Sequence, residues 1–211
     1  MKTDDLIKLL AEDAPAPMRL TRAVTIALAS GVLISGALLL STVGIRHNMM
    51  SAIETIRVLF KIGFSLLLAA TACGLVYRIG RPGVSVKTSA LALLAPLMLL
   101  LAAVAIELAA LPSDLWEANM MGRSAGYCVV FIPLLSLAPL AAFLLALRNG
   151  APERPALAGA AAGLASSSLA AALYAWHCAD DSPLFVATWY GIAITVVTIA
   201  GAALGARYLR W

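Results

Sequence analysis

The sequence predicts an all-α polytopic membrane protein, a bundle of six transmembrane helices with both termini cytoplasmic. Three observations carry that prediction. Hydrophobic residues make up 62% of the chain and charged residues 12%, and the mean hydropathy is +0.94, whereas soluble domains sit near half apolar and a quarter charged. Six apolar runs are each long enough to cross a hydrocarbon core. The basic residues then gather on alternate connecting segments, as cytoplasmic loops do.

The first 22 residues, "MKTDDLIKLLAEDAPAPMRLTR", are polar and mixed in charge, and residues 23–211 form the bundle. Thr3 is placed to cap a short helix, with Asp4 and Asp5 in its first turn, where the helix dipole favours negative charge. Leu6, Ile7, Leu9 and Leu10 share one face, while Asp4, Asp5, Lys8 and Glu12 lie on the other. The Ala-Pro-Ala-Pro run stops the helix. Membrane-surface helices carry a basic polar face; an acidic one, repelled by anionic lipid, points to a protein groove as the alternative resting place.

The spans are expected at about Val24–Val43, Val58–Tyr77, Thr88–Leu111, Ala125–Leu147, Ala156–Trp176 and Leu184–Ala206. Backbone groups in lipid must be satisfied within the segment, so each span reads as a helix, and short loops make neighbours antiparallel. The first run is expected to remain as an anchor, since nothing before it reads as a cleavage site. With the N-terminus inside, the inner segments hold Lys2, Lys8, Arg19, Arg22, Arg78, Arg81, Lys87, Arg148, Arg154, Arg207 and Arg210. Only Arg46, Arg57, Lys61 and Arg123 fall outside. A net charge of +4 therefore reflects loop bias rather than nucleic-acid binding. Trp116, Trp176, Trp189 and Tyr190 fall at predicted outer ends, and Tyr77, Tyr208 and Trp211 at inner ones.

Gly159 and Gly163, and Gly201 and Gly205, form two small-xxx-small pairs that allow close helix approach. Packing within the bundle is the favoured use, with a homo-oligomer as the alternative. Pro96, Pro133 and Pro139 lie inside spans and are expected to kink them.

The polar residues of the outer side hold the candidate chemistry. Cys128 falls near the outer start of the fourth span and Cys178 just past the outer end of the fifth, whereas Cys73 lies near the opposite face. The two outer cysteines meet if their helices are adjacent, and an oxidising compartment permits a disulfide; a buried cysteine serving as a small hydrophobe is the bland alternative. His177, Asp180 and Asp181 surround Cys178, but neither CxxC nor HxxxH spacing is present. A standing zinc site is not expected, which leaves transient capture of a thiophilic metal by Cys128 and Cys178, with His177 as a weak third candidate. Asp180, Asp181 and Pro183 read as turn formers. Glu107, embedded near the outer end of the third span, is a functional candidate by default, facing an aqueous cavity or Arg123.

Enzyme classes find little support. Neither a phosphate-binding glycine loop nor a Ser/His/Asp set in context is present. His47 and His177 both lie at outer ends, which is poor geometry for haem, and no other cofactor is implied.

Three passages, "MKTDDLIKLLAEDAP", "LRNGAPERPALAGAAAGL" and "LYAWHCADDSPLFVATWY", together with the six-span layout, resemble the bacterial membrane anti-sigma factors of the negative-regulator-of-sigma-F type. The resemblance runs over essentially the whole chain. It implies a protein that holds an extracytoplasmic-function sigma factor at the inner membrane and releases it under oxidative or heavy-metal stress, with no direct nucleic-acid contact. It also implies that the N-terminal segment (Asp4, Asp5, Leu6, Ile7, Leu9, Leu10) contributes to sigma binding and that Cys128 and Cys178 take part in sensing. Other anti-sigma families carry a larger cytoplasmic domain, so here the grip is small or shared with the loops Arg78–Lys87 and Arg148–Pro155. A small transporter or metal-efflux component is the alternative, but no span carries the midplane charge that secondary transporters use. A purely structural membrane subunit is the third reading.

Overall fold

A computed structural model describes residues 18–210. The amphipathic helix expected around Asp4–Leu10, and Trp211, lie outside the described residues. Among the described residues six helices are long and apolar enough to cross a membrane: α1 (Leu20–Thr42), α2 (Ile56–Ile79), α3 (Lys87–Ala110), α4 (Ala125–Leu147), α5 (Pro155–Tyr174) and α6 (Pro183–Tyr208). They run antiparallel in sequence order, and no strand occurs among the described residues. The spans overlap those expected from hydropathy, with ends displaced by a few residues. Three connections, 43–55, 111–124 and 175–182, lie at one end of the bundle. The loops 80–86 and 148–154 lie at the other, where α1 begins and α6 finishes.

The small residues decide which helix sits in the middle. Helix α5, "PALAGAAAGLASSSLAAALY", has almost no bulk, so neighbouring backbones close on it from several sides. Against α6 the approach leaves no room for a methyl group. A Cβ on Gly163 would stand 2.6 Å from the Val197 carbonyl oxygen, and one on Gly205 would stand 2.6 Å from Gly159 Cα. The two glycine pairs therefore pack against each other within one chain, which is close backbone contact of the small-xxx-small kind. The hydroxyls of Ser166, Ser167 and Ser168 are buried but donate to carbonyls one turn back, between 2.7 and 3.2 Å, so none is left without a partner.

Proline acts differently in the two helices that carry it. Helix α3 is interrupted at Leu93, three residues before Pro96, as a missing N–H and ring clash in the preceding turn require. Helix α4 stays continuous through Pro133 and Pro139. Pro139 has no N–H for the carbonyl of Leu135, and the buried Ser35 hydroxyl of α1 supplies the donor instead, at 2.6 Å. Gly31, one turn earlier on α1, lets the Pro139 ring come close, because a Cβ there would lie 2.7 Å from Pro139 Cβ. A neighbouring helix thus satisfies the backbone group that proline frees, which lipid could not do.

Candidate functional site

The hairpin 175–182 joins α5 to α6 and brings together most of the buried polar chemistry. It carries Cys178, which is 1% exposed and meets Cys128 on the first turn of α4. The two sulfurs lie 3.8 Å apart and are not bonded to each other. Around them pack Tyr174, Phe185, Val186 and Tyr190, so the pair sits in an apolar pocket with its polar partners on one side only.

That polar side is built around Lys61, a residue of α2 with no exposed surface. Its Nζ donates to the Cys178 carbonyl at 2.7 Å, to the Asp180 carbonyl at 3.2 Å and to Asp181 Oδ1 at 2.5 Å. Three acceptors surround one nitrogen, which matches the three donors of a lysine ammonium. The other carboxylate oxygen of Asp181 accepts from Arg46 Nη1 at 2.9 Å, and Arg46 Nη1 lies 3.4 Å from the Cys178 carbonyl oxygen. Removing either partner of such a buried pair strands the other, so Asp181 and Lys61 fix each other's place.

Asp180 faces the other way. Its carboxylate accepts the backbone N–H groups of Arg123 and Ser124 at 2.8 to 3.2 Å, which caps the loop leading into α4 and holds it against the hairpin. Gly122 makes the approach feasible: its φ is +56°, and a side chain there would strike Phe185 and the Asp180 carboxyl. Asp180 and Asp181 were expected to be turn formers; each instead anchors a different helix to the hairpin.

Glu107 completes this end. It is buried at the end of α3, accepts from the Ser182 hydroxyl at 2.8 Å and the Leu184 N–H at 2.9 Å, and lies 3.2 Å from Arg57 Nη2. Its ionic partner is therefore Arg57, not Arg123 as considered above, and its role is to cap the start of α6. The His177 ring nitrogen Nδ1 lies 3.0 Å from the Gly44 carbonyl oxygen, an interaction that ties the hairpin to the first loop. Among the described residues no group of three His, Cys, Asp or Glu side chains is placed to hold a metal ion. Tyr190, expected in an interfacial aromatic belt, is fully buried beside the thiols on a five-residue π-helical turn, Val186–Tyr190.

Cys178 lies outside the spans, and its thiol is pulled down to about 7. The chief cause is the Cys128 thiol, which stabilises the sulfur's negative form by hydrogen bonding; the Lys61 ammonium adds to it, and burial opposes both.

Sequence reasoning missed Lys61, Arg46 and the ionic role of Asp181. The signal was present. Lys61 interrupts an apolar run, and an ionisable residue embedded in a span is a functional candidate by default. That rule had been applied to Glu107 alone, with Lys61 counted among loop charges.

A hairpin of Trp, His, Cys and two Asp at the tip of an Ala-rich helix, seated against a second cysteine, is what the passage 172–190 builds. Residues 10–211 match the family model described as negative regulator of sigma F. The chain belongs to that family. A curated relative from Azospira oryzae, named probable anti-sigma-F factor NrsF, is 34% identical over the full length of both chains. The anti-sigma-F factor NrsF of Caulobacter vibrioides is also 34% identical over the full length of both. No solved structure matches the chain.

Proposed function

We propose that this membrane protein is a regulator that holds a sigma factor of the extracytoplasmic-function class at the inner membrane and releases it when Cys128 and Cys178 react with an oxidant or a thiophilic metal. The observation that carries the reading is the separation of 3.8 Å between two sulfurs whose residues lie fifty positions apart in sequence. Two thiols so placed are a short movement from a disulfide, and two thiolates so placed take a soft cation between them. The names of the two relatives supply the kind of partner.

In this reading the N-terminus is cytoplasmic, as the basic residues favour, and the thiols face the oxidising side. Residues Asp4–Leu10 bind sigma with their apolar stripe, and the chain that follows them carries a polar cluster at the head of α1. There Thr21 Oγ1 lies 2.8 Å from the Tyr77 hydroxyl and accepts from Arg81 at 3.0 Å. Helix α2 connects the two ends directly, since it carries Lys61 at the thiol end and Tyr77 at the other. A signal must favour the released state by about 5.5 kcal/mol to swing a two-state element from mostly held to mostly free.

Two experiments test this reading. The double substitution Cys128→Ser, Cys178→Ser should abolish induction while sigma stays held; an unchanged response sinks the sensing role. Deleting residues 1–17 should prevent co-purification of the sigma factor, and retention of sigma by the truncated chain would refute the N-terminal grip.

A further inference from the structure

Two thiols in contact are equivalent unless their surroundings make them differ, and here they do. Both lie in one apolar cluster, but Cys128 sits on the first turn of α4. Cys178 sits on the hairpin, and its own carbonyl is gripped by Lys61 at 2.7 Å and approached by Arg46 at 3.4 Å. The Lys61 ammonium serves no exposed function: it has no exposed surface, and all three of its donors are spent on the residues Cys178, Asp180 and Asp181. A buried cation is costly to keep, and this one is aimed at the backbone of the segment that carries Cys178.

We propose that Lys61 is the positioning residue that makes Cys178 the attacking thiol of the pair and Cys128 the resolving one. The inference rests on the thiol-sensing reading above and adds an order of events to it. Lys61 fixes the Cys178 backbone through its carbonyl, so that the sulfur faces Cys128, and places its ammonium against the Cys178 residue itself. Both sulfurs are buried, and a polar crevice of about 330 Å³ at the same end of the bundle stops at Ala179, Asp180, Asp181 and Ser182, the residues that follow Cys178, so a reagent reaches the thiol by a local opening of the hairpin.

With a hydroperoxide the chemistry balances in two steps. The Cys178 thiolate attacks the terminal peroxide oxygen; the O–O bond breaks, a sulfenic acid forms, and the alkoxide or hydroxide that leaves takes up a proton from solvent. Cys178 is oxidised by two electrons and the peroxide is reduced. The Cys128 sulfur, losing its proton, then attacks the Cys178 sulfur; the S–S bond forms, the S–O bond breaks, and the departing hydroxide takes that proton and leaves as water.

The pH dependence of the first step reports on the groups that face Cys178. These are Lys61 of α2, Cys128 of α4, Tyr174 of α5, Tyr190 of α6, Arg46 of the first loop, and Asp180 and Asp181 of the hairpin itself. A thiolate is the reactive form, so the rate should rise with pH through a midpoint near 7, where Cys178 titrates.

The test uses the full-length protein in lipid nanodiscs, brief exposure to limiting iodoacetamide, and peptide mass spectrometry to read which cysteine is alkylated first. In the unsubstituted protein at neutral pH, Cys178 should be labelled about tenfold faster than Cys128. Lys61→Gln, which keeps a donor for the Cys178 carbonyl but removes the charge, should slow Cys178 about tenfold and move its midpoint upward by about one pH unit. Lys61→Arg should restore much of both. Faster labelling of Cys128 in the unsubstituted protein overturns the assignment, and that measurement does not depend on any variant folding. So does a Lys61→Gln protein whose labelling order and pH midpoint are unchanged. Failure of the sensing reading shows elsewhere, as an unchanged cellular response in the double-serine variant, so the two ideas fall to different data.

Discussion

Helices α3 and α5 are both apolar crossings, yet they occupy opposite places in the molecule. The hydropathy of α3 reaches 2.5 and only 6% of its most apolar stretch is buried; α5 reaches 1.6 and 67% is buried. In water the greasier helix would be the one inside. In a bilayer the surrounding lipid is as apolar as leucine, so hydropathy confers no preference for the core, and the helix that lets others come closest takes the centre. Leucine-rich α3 faces lipid with Leu91, Leu97, Met98, Leu101 and Ile106. It leaves a gap of about 570 Å³ along α2, lined by apolar side chains and reaching Glu107 and Arg57 at one end.

The sharpest way to break that contrast is to add bulk to the seam. Gly205→Leu places a side chain where a single Cβ would stand 2.6 Å from Gly159 Cα. With backbone on both sides there is nothing flexible to move aside, and the cost should be about 3 kcal/mol or more. Titration of the purified protein with sodium dodecyl sulfate should show α5 and α6 parting early, and the hairpin between them should lose its fixed geometry. A variant as stable as the parent would mean that the seam is not what centres α5.

Helix α3 is tied to the rest chiefly where it ends, and Glu107 is the tie. Glu107→Ala removes the acceptor of the Ser182 hydroxyl and the Leu184 N–H. Arg57 is half exposed and can be solvated instead, so the cost is set by the two stranded donors, about 2 kcal/mol together. Amide exchange at residues 182–186 should accelerate, with α5 unaffected. Exchange that stays slow would show that α6 begins where it does without its carboxylate cap.

The same contrast explains what was legible in the sequence. The spans were readable because lipid demands helices of a fixed length, and the glycine pairs were readable because the close approach they permit has few other causes. Counting crossings placed Cys128 and Cys178 at one end, but their contact was expected only if their helices were adjacent. The ionic arrangement behind them did not follow. Lys61, Arg46 and Asp181 come from three separate segments, and local sequence cannot tell a turn-forming aspartate from one that neutralises a buried lysine. Glu107 was flagged as an embedded acid, but its partner depends on how α2 leans on α3, which no periodicity encodes. Nor did sequence reveal that Pro139 leaves α4 unbroken, because the remedy, Ser35, lies on another helix.

The smallest effect should come from the most hydrophobic helix. Leu101→Ala removes a side chain that is 54% exposed on the lipid face of α3. In a soluble protein a leucine on an apolar helix invites the inference that its loss leaves a cavity. Here the atoms removed touched mainly lipid in both the folded bundle and the separated helices, so the exchange of leucine–lipid for alanine–lipid contact nearly cancels. The stability change should stay within about 0.5 kcal/mol in the same detergent titration. Gly205→Leu adds to one helix the very side chain that Leu101→Ala deletes from another, which isolates position as the variable. A loss at Leu101 comparable to that at Gly205 would show that α3 is packed against something that covers its lipid face. Parity at Leu101, with collapse at Gly205, would establish that close backbone approach, rather than apolar content, holds this bundle together.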